Sequence, residues 1–361
     1  MRFRRLIVVL ASVALLALGT SVFGVTSSAE AGAGKYIQGF DKSRSWDYTF
    51  GPKDGPEITI VGFGSFVVGD EYLTARAKLA DQGYTFGDGV PTITPDALIG
   101  VDIFVVGPLK GEDLTQIETD LLETFVVHGG AVLDARNWPS PLFGVKYSVW
   151  SGIGGVTFTN NDTGHQDILN IVAGVNSPVS VGAHSCLTTS GDGIPFLVDN
   201  VPSGNVSGVI IPPTSGRLGY AVVIGDEEIF SSNFSIEYGG GANYGNNPDN
   251  QQLLRNVFAF LSKAPGLDQD GPAALRATEA LSSLSLIENT IQSMTLPAGQ
   301  QSSLNAKLEA ARSSVLLGQL GQAKNQLRAF INQVEAQRGK KLTPAQADGL
   351  IASARALIGG S

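Results

Sequence analysis

The chain has 361 residues, a formal net charge of −9 at pH 7 and one cysteine, Cys186. A single thiol excludes an internal disulfide, so a hydrophobic core must hold the fold, and the chain is long enough to form one. The acidic balance argues against nucleic acid and anionic lipid as partners, because both are bound by cationic surfaces.

The first 31 residues are predicted to be a secretory signal peptide. They contain a basic start (Arg2, Arg4 and Arg5), an apolar run over residues 6–18 and the small-residue cleavage pattern Ala29-Glu30-Ala31. The alternative is a retained membrane anchor, because the apolar stretch to Val25 is long enough to span a bilayer. We expect cleavage near Ala31, no membrane association afterwards, and a protein that is extracellular or held at the cell surface.

Residues 32–57 are predicted to be irregular, and residues 58–263 to form an α/β domain. In this domain the predicted strands are 58–62, 102–107, 131–134 and 219–226, and the predicted helices are 71–82, 114–126 and 251–261. The strands are continuous apolar runs, which are typical of a parallel sheet covered on both faces. The alternation predicts a parallel-type, doubly wound sheet of the flavodoxin-like kind, from which residues 144–217 form an irregular β-rich excursion.

Residues 264–272 are predicted to be a linker, and residues 273–358 a small all-helical bundle. The linker is rich in Pro, Gly and acidic residues. Its stretch Asp268-Gln269-Asp270-Gly271 is similar to the start of a calcium loop, but the other ligands are missing, so no metal site is predicted. After the linker, four amphipathic stretches each have one apolar stripe and must pack together.

The last two helical stretches carry a sequence pattern. Residues 330–343 are Phe-Ile-Asn-Gln-Val-Glu-Ala-Gln-Arg-Gly-Lys-Lys-Leu-Thr, and Gln346, Ala347, Asp348 and Leu350 follow. Thr343 and Gln346 also form the pattern of a helix capping box. Over about residues 280–358 the chain resembles the FIMAH domain of secreted bacterial proteins. That family is a small helical module found beside many different exported domains, so the resemblance implies no catalytic role.

The body resembles class I glutamine amidotransferase-like domains of the exported, catalytically degenerate kind, over about residues 58–263. The resemblance rests on the stretch 102–107, on Gly129-Gly130 with the strand that follows, and on residues 219–230. The active family has a nucleophilic cysteine at the turn after the third strand, where this chain reads Asp134-Ala135-Arg136-Asn137. Asp226-Glu227-Glu228 replaces the family's His and Glu. The resemblance therefore implies no glutaminase activity and no cofactor.

Charged residues follow two of the predicted strands. Since parallel strands end at one edge of a sheet, and ligands bind at that edge, the sequence predicts a ligand site there. Its residues are Asp134, Arg136, Asp226, Glu228 and Asn233. The alternative is structural, because an Asp that ends a strand often caps the next helix.

No catalytic residue is predicted. Cys186 has His184 two positions away, but neither lies at the turn where a nucleophile is expected, so Cys186 is interpreted as a buried small residue. The preferred function is that of a non-catalytic exported protein, which binds a small molecule, a glycan or an extracellular protein and uses its helical module for attachment. The alternative is an extracellular hydrolase, with or without a metal, that uses the edge carboxylates on a glycan or peptide.

Overall fold

The structure, a computed structural model, describes most of the chain between residues 34 and 360. The described residues are 34–41, 43–44, 49–50, 58–59, 72–107, 109, 113–136, 141–151, 156–160, 165–176, 179–181, 184–199, 205–225, 229–230 and 247–360. The predicted signal peptide and three predicted site residues (Asp226, Glu228 and Asn233) lie outside them.

Strands and helices alternate along the body, and helices alone follow it. The described strands are β1 (Tyr36–Gly39), β2 (Thr49–Phe50), β3 (Ile58–Thr59), β4 (Thr85–Phe86), β5 (Ile103–Val106), β6 (Ala131–Ala135), β7 (Val145–Ser151), β8 (Val156–Asn160), β9 (Val179–Val181), β10 (His184–Thr189), β11 (Ile194–Asp199), β12 (Val206–Ile211) and β13 (Tyr220–Ile224). The described helices are α1 (Leu73–Ala80), α2 (Pro95–Leu98), α3 (Gln116–Val127), α4 (Gln166–Val172), α5 (Pro248–Leu261), α6 (Gly271–Ser293), α7 (Ala298–Leu316), α8 (Leu320–Gln337) and α9 (Pro344–Gly360). The predicted α/β body with a C-terminal helical unit is confirmed.

One mixed sheet organises the body. Its order is β4-β1-β5-β6-β13-β12-β11-β8-β9, and β10 joins it by pairing with β12 and carries β7 on its other side. Neighbouring strands are parallel among β4, β1, β5, β6 and β13. The pairs formed by the remaining strands of this sheet are antiparallel. The predicted β-rich excursion therefore continues the same sheet.

The first strand of the main sheet differs from the sequence prediction. The segment 32–57 was expected to be irregular, but β1 lies within it and pairs with both β4 and β5. Of the predicted strand 58–62, the described part is β3, which pairs with β2 in a separate ribbon. Sequence reasoning missed β1 because its four residues hold one aliphatic side chain, Ile37, beside the polar Gln38. Their burial comes from the neighbouring strands.

Both faces of the parallel region are buried. Ile103 and Val105 of β5 belong to a core that α1, α4 and α5 cover, while Phe104 and Val106 belong to a core on the opposite face under α3. Every residue of this strand is thus enclosed, which explains why its sequence is a continuous apolar run. None of the described helices is long and apolar enough to cross a membrane.

Helix α6 belongs to two cores at once. Leu275 is fully buried in the core of the body, whereas Ala280, Leu284 and Ile287 pack inside the bundle with α7, α8 and α9. Hydrogen bonds join Thr278 to Thr124 and Ser282 to Asp120 of α3. The bonded residue numbers rise along α6 while they fall along α3, so the two helices are antiparallel. Because α3 runs back from the carboxyl end of β5 to the start of β6, α6 leads the chain towards the carboxyl edge of the sheet.

The predicted linker is bonded to the body. The N–H groups of Gly266 and Asp268 donate to the carbonyl oxygens of Gly129 and His128, at 3.0 and 2.9 Å. The Asp268 carboxylate also contacts the His128 ring and accepts from the N–H of Gly271, where α6 begins. The junction between body and bundle is therefore ordered by hydrogen bonds on both sides.

Candidate functional site

The connections of the sheet reverse direction at β1. After β1, the chain forms α1 on one face of the sheet and then β4, which lies next to β1. It next forms α2 on the other face of the sheet and then β5, which lies on the other side of β1. In open α/β sheets this reversal opens a crevice at the carboxyl ends of the two diverging strands. Polar residues from β6, from the turn after β1 and from the start of α3 gather at this edge.

Asp134 and Arg136 form a buried ion pair at the end of β6. Nε and Nη2 of Arg136 donate to the two carboxylate oxygens of Asp134, at 2.7 and 2.8 Å. Asp134 is fully buried and Arg136 is 2% exposed. Nη1 of Arg136 also donates to the carboxylate of Asp113, two residues before the N-cap of α3. Burial alone would lower the pKa of Arg136, but the charge and hydrogen bonds of Asp134 outweigh it and raise that pKa.

Arg44 and Glu118 form a second pair nearby. Nη1 and Nη2 of Arg44 donate to the Glu118 carboxylate at 3.3 and 2.9 Å, and Nη2 also donates to the carbonyl oxygen of Asp113 at 3.1 Å. Asp113 therefore links both arginines, through its carboxylate to Arg136 and through its main chain to Arg44. The polar groups form one continuous network from the end of β6 to the turn after β1.

Glu118 is the most heavily bonded member of this network. Its carboxylate accepts hydrogen bonds from the N–H groups of Thr115 and Ile93 and from the hydroxyls of Thr115 and Thr92. The Thr115 hydroxyl accepts in return from the N–H of Glu118, which completes a capping box at the start of α3. Burial by itself would raise the pKa of Glu118, but these backbone hydrogen bonds and Arg44 outweigh it, so that pKa is lowered from 4.5.

The lowered pKa of Glu118 predicts a pH-dependent contribution to stability. Ionised Glu118 stabilises the fold above its ordinary pKa, and this contribution is lost as the pH falls through the lower, folded-state pKa. We expect Glu118→Gln to lower the melting temperature clearly at about pH 7, and the difference from the parent protein to shrink towards about pH 3. Thermal melts of both proteins across this range test it, and a difference that stays constant would show that the charge contributes nothing.

Three buried hydroxyl groups come from the antiparallel strands β7, β10 and β12. Tyr147 of β7 is opposite Leu187 of β10, and its hydroxyl is buried although the residue as a whole is half-buried. Burial, and then the charge of Asp134, raise the pKa of Tyr147 well above 10. Ser185 and Ser207 are 0% and 1% exposed. Within the described part of the chain, no hydrogen-bond partner is present for these three hydroxyls.

Two of the predicted site residues lie together, while their binding of a ligand stays a prediction. Asp134 and Arg136 lie together at the carboxyl edge as predicted, and their charges compensate each other. Ile224, the last residue of β13, is opposite Ala135, so this strand also ends beside Arg136. Asp226, Glu228 and Asn233 lie outside the described residues, so their place in the site stays a prediction. The structural alternative for Asp134 was that its side chain caps a helix. Instead, the Asp134 carboxylate accepts hydrogen bonds from Arg136.

Sequence reasoning missed Arg44, Asp113, Glu118 and Tyr147. The spacing of Thr115 and Glu118 is a capping-box pattern that could have been recognised. Arg44 is 74 residues from Glu118, and no local pattern connects them. The predicted burial of Cys186 is confirmed, since it is 5% exposed. Within the ranges that the structure describes, no three His, Cys, Asp or Glu residues are grouped to hold a metal ion.

Comparisons with known proteins find a similarity for the helical unit. Residues 281–359 match the FIMAH domain. Among solved structures, the mmIFT52 N-terminal domain is 12% identical with a TM-score of 0.43, over 64% of this chain and 99% of that one. Cytoplasmic protein STM3548 from Salmonella typhimurium is 12% identical with a TM-score of 0.43, over 63% and 98%. A ThuA-like protein from Bacteroides uniformis is 11% identical with a TM-score of 0.37, over 68% and 98%. No curated protein matches this chain.

Proposed function

We propose that this protein, whose residues 281–359 match a FIMAH domain, is an exported, non-catalytic binding protein. Its α/β body holds a ligand at the carboxyl edge of the sheet, and its helical module attaches it to the cell surface. The ligand is a small molecule, a glycan or an extracellular protein. The proposal rests on the chemistry of the edge residues, above all on the state of Asp134.

The ion pair of Asp134 carries the proposal. A carboxylate that acts as general base or nucleophile must reach the substrate with an available oxygen. The Asp134 side chain is fully buried, and both of its oxygens accept hydrogen bonds from Arg136. Bidentate pairing of this kind fixes geometry and compensates charge. Asp134 therefore serves as a positioning residue, which holds Arg136 and, through it, Asp113 at the edge.

Asp226 and Glu228 distinguish this proposal from an extracellular hydrolase. We expect the mature chain, incubated with purified cell-envelope polysaccharide and peptide, to bind without releasing new reducing ends or amino groups. The double variant Asp226→Asn/Glu228→Gln should then retain binding, weakened by the loss of two predicted site residues, and should also release no products. Release of products by the parent protein, lost in the double variant, would support the hydrolase instead. A fall in melting temperature when a chelator is added would indicate that this hydrolase also holds a metal ion.

Export is the remaining part of the proposal, and it predicts the N-terminus of the mature protein. Because a basic start, an apolar run and a small-residue exit are recognised and cleaved during secretion, we expect the exported chain to begin close to Gly32. N-terminal sequencing of protein recovered from the medium and from the cell surface measures this. Recovery of the intact chain in the membrane fraction would show that residues 6–25 are kept as an anchor.

A further inference from the structure

A groove opens at one end of the helical bundle, between all four of its helices. It encloses about 300 Å³, part of which is open to solvent. The first halves of α6 and α8 and the last turns of α7 and α9 line it, with an almost entirely apolar surface. The lining includes Ala280, Leu284, Val315, Leu320 and Leu357, and Lys324 adds a positive charge. The bundle thus has an apolar depression that other molecules can reach.

Two exposed leucines lie beside this groove. Leu316 ends α7 and Leu317 follows it, and they are 67% and 71% exposed. Among the described large apolar side chains these two are the most exposed. They lie in the turn between Val315 and Leu320, which both line the groove. Groove and leucines therefore form one apolar patch, and patches of this kind are typical of interaction sites.

The charges around the patch are positive. Residues 310–334 hold three Lys or Arg and no Asp or Glu, and residues 349–361 hold one Arg and no Asp or Glu. Lys324, one of these four cations, lines the groove itself. Over the whole helical unit, residues 273–361, nine Lys or Arg stand against five Asp or Glu. Charge complementarity therefore favours a partner that carries negative charge.

We propose that this groove binds an acidic amphipathic helix of another extracellular protein. Apolar side chains of that helix pack into the groove and against Leu316 and Leu317, while its carboxylates face Lys324. The groove is lined by helices, whose backbone groups bond within each helix, so side chains must make the contacts, and a helix presents them on one face. The inference rests on the proposed attachment role of the helical module and names the chemistry of its partner.

The charges disfavour two other occupants. A second copy bound through the same patch would bring Lys324 close to its own counterpart. An anionic bilayer is an extended surface, and the groove lies near the body, because Ala280 and Leu284 alternate along α6 with residues that bond to α3. Residues 32–272 hold twelve Lys or Arg and twenty-seven Asp or Glu, which repel such a surface. A peptide helix can cover the groove alone.

Fluorescence anisotropy with the mature chain, residues 32–361, tests the inference. The probe is a labelled synthetic helix of about four turns, with leucines on one face and glutamates on the others. One counterpart replaces every glutamate with lysine, and another replaces every leucine with alanine. We expect the acidic leucine peptide to bind at least about tenfold more tightly than either counterpart, a difference of about 1.4 kcal/mol. Its affinity should fall as salt is added.

Substitutions in the patch locate the binding site. We expect Leu316→Ser/Leu317→Ser to weaken binding of the acidic peptide about tenfold or more, and Lys324→Gln to weaken it about threefold. The melting temperature of the leucine variant should not fall, because both side chains are exposed. Leu286→Ser, at another exposed position of α6, and Lys341→Gln, in the turn at the opposite end of α8, are matched controls that should leave binding unchanged.

Four outcomes would overturn the inference. Equal binding of the acidic and basic peptides would show that charge does not select the partner. A dimer in sedimentation that becomes a monomer in Leu316→Ser/Leu317→Ser would assign the groove to a second copy. Binding to vesicles of phosphatidylcholine and phosphatidylglycerol, lost in the same variant, would assign it to a lipid surface. Failure of the acidic peptide to bind would remove the inference.

The attachment role is decided by a separate measurement on cells. If Leu316→Ser/Leu317→Ser is released into the medium while the parent protein stays on the surface, the groove is the attachment site. If both stay on the surface, the attachment role stands and the inference fails. If neither is held there, the attachment role fails whatever the peptide does.

Discussion

Replacing Arg136 with methionine is expected to destabilise the body by about 3–5 kcal/mol, because it leaves Asp134 buried without its partner. Methionine keeps most of the length of the arginine side chain, so the main loss is the pair of hydrogen bonds to the carboxylate. Asp113 also loses its contact, but it is 36% exposed at the side chain and can be solvated. Chemical denaturation followed by the fluorescence of the body measures the change.

A control and a second variant separate the ion pair from general damage. Arg276→Met removes an ion pair with Asp96 whose side chains are 42% and 83% exposed, and it should change stability by about 1 kcal/mol or less. Adding Asp134→Leu to Arg136→Met should recover much of the loss, since no buried charge remains. If the double variant is as unstable as Arg136→Met alone, the unpaired carboxylate is not the cause.

Replacing Leu275 with alanine is expected to destabilise the body by about 2–5 kcal/mol, as deletions of fully buried leucines do. Leu275 is 0% exposed and packs in the core beneath α3, although it belongs to the first helix of the helical unit. Leu286→Ala is the matched control, since Leu286 is on the same helix but 45% exposed. Hydrogen exchange at the amides of β5 and β6 reports on the body alone.

The Leu275 variant also tests where the two units divide. If α6 belonged to the bundle alone, Leu275→Ala would accelerate exchange in α7 and α8 and leave β5 and β6 protected. The buried position predicts the opposite result. A body that ends at the predicted linker would therefore lack Leu275 and expose the face of α3 that α6 covers, including Thr124 and Asp120.

The strands buried on both faces could be predicted from the sequence. β5, β6 and β13 are continuous apolar runs, because helices or other strands cover both of their faces. β1 could not be predicted, since four residues with one aliphatic side chain have no periodicity, and their place in the sheet depends on contacts with β4 and β5. The four helical stretches of the bundle each have a stripe of apolar residues, and they were predicted correctly.

The polar network at the carboxyl edge could be predicted only where its residues directly follow a strand. Asp134 and Arg136 are two residues apart at the end of an apolar run, and topology alone places them at the carboxyl edge. Arg44 and Tyr147 reach the same edge from distant parts of the chain, Arg44 through a contact with Glu118 across 74 residues. Such partners depend on how the elements pack, which local sequence does not encode.

Helix α6 runs without a break from Leu275 in the body to Ala280 in the bundle, and this continuity fixes the rotational phase of the module. A helix turns by about 100° and advances by about 1.5 Å for each residue. One residue inserted between these two positions would therefore turn the bundle by about 100° around the axis of α6 and break the hydrogen bond between Ser282 and Asp120. The direction in which the module faces is thus set by the number of residues in one helix.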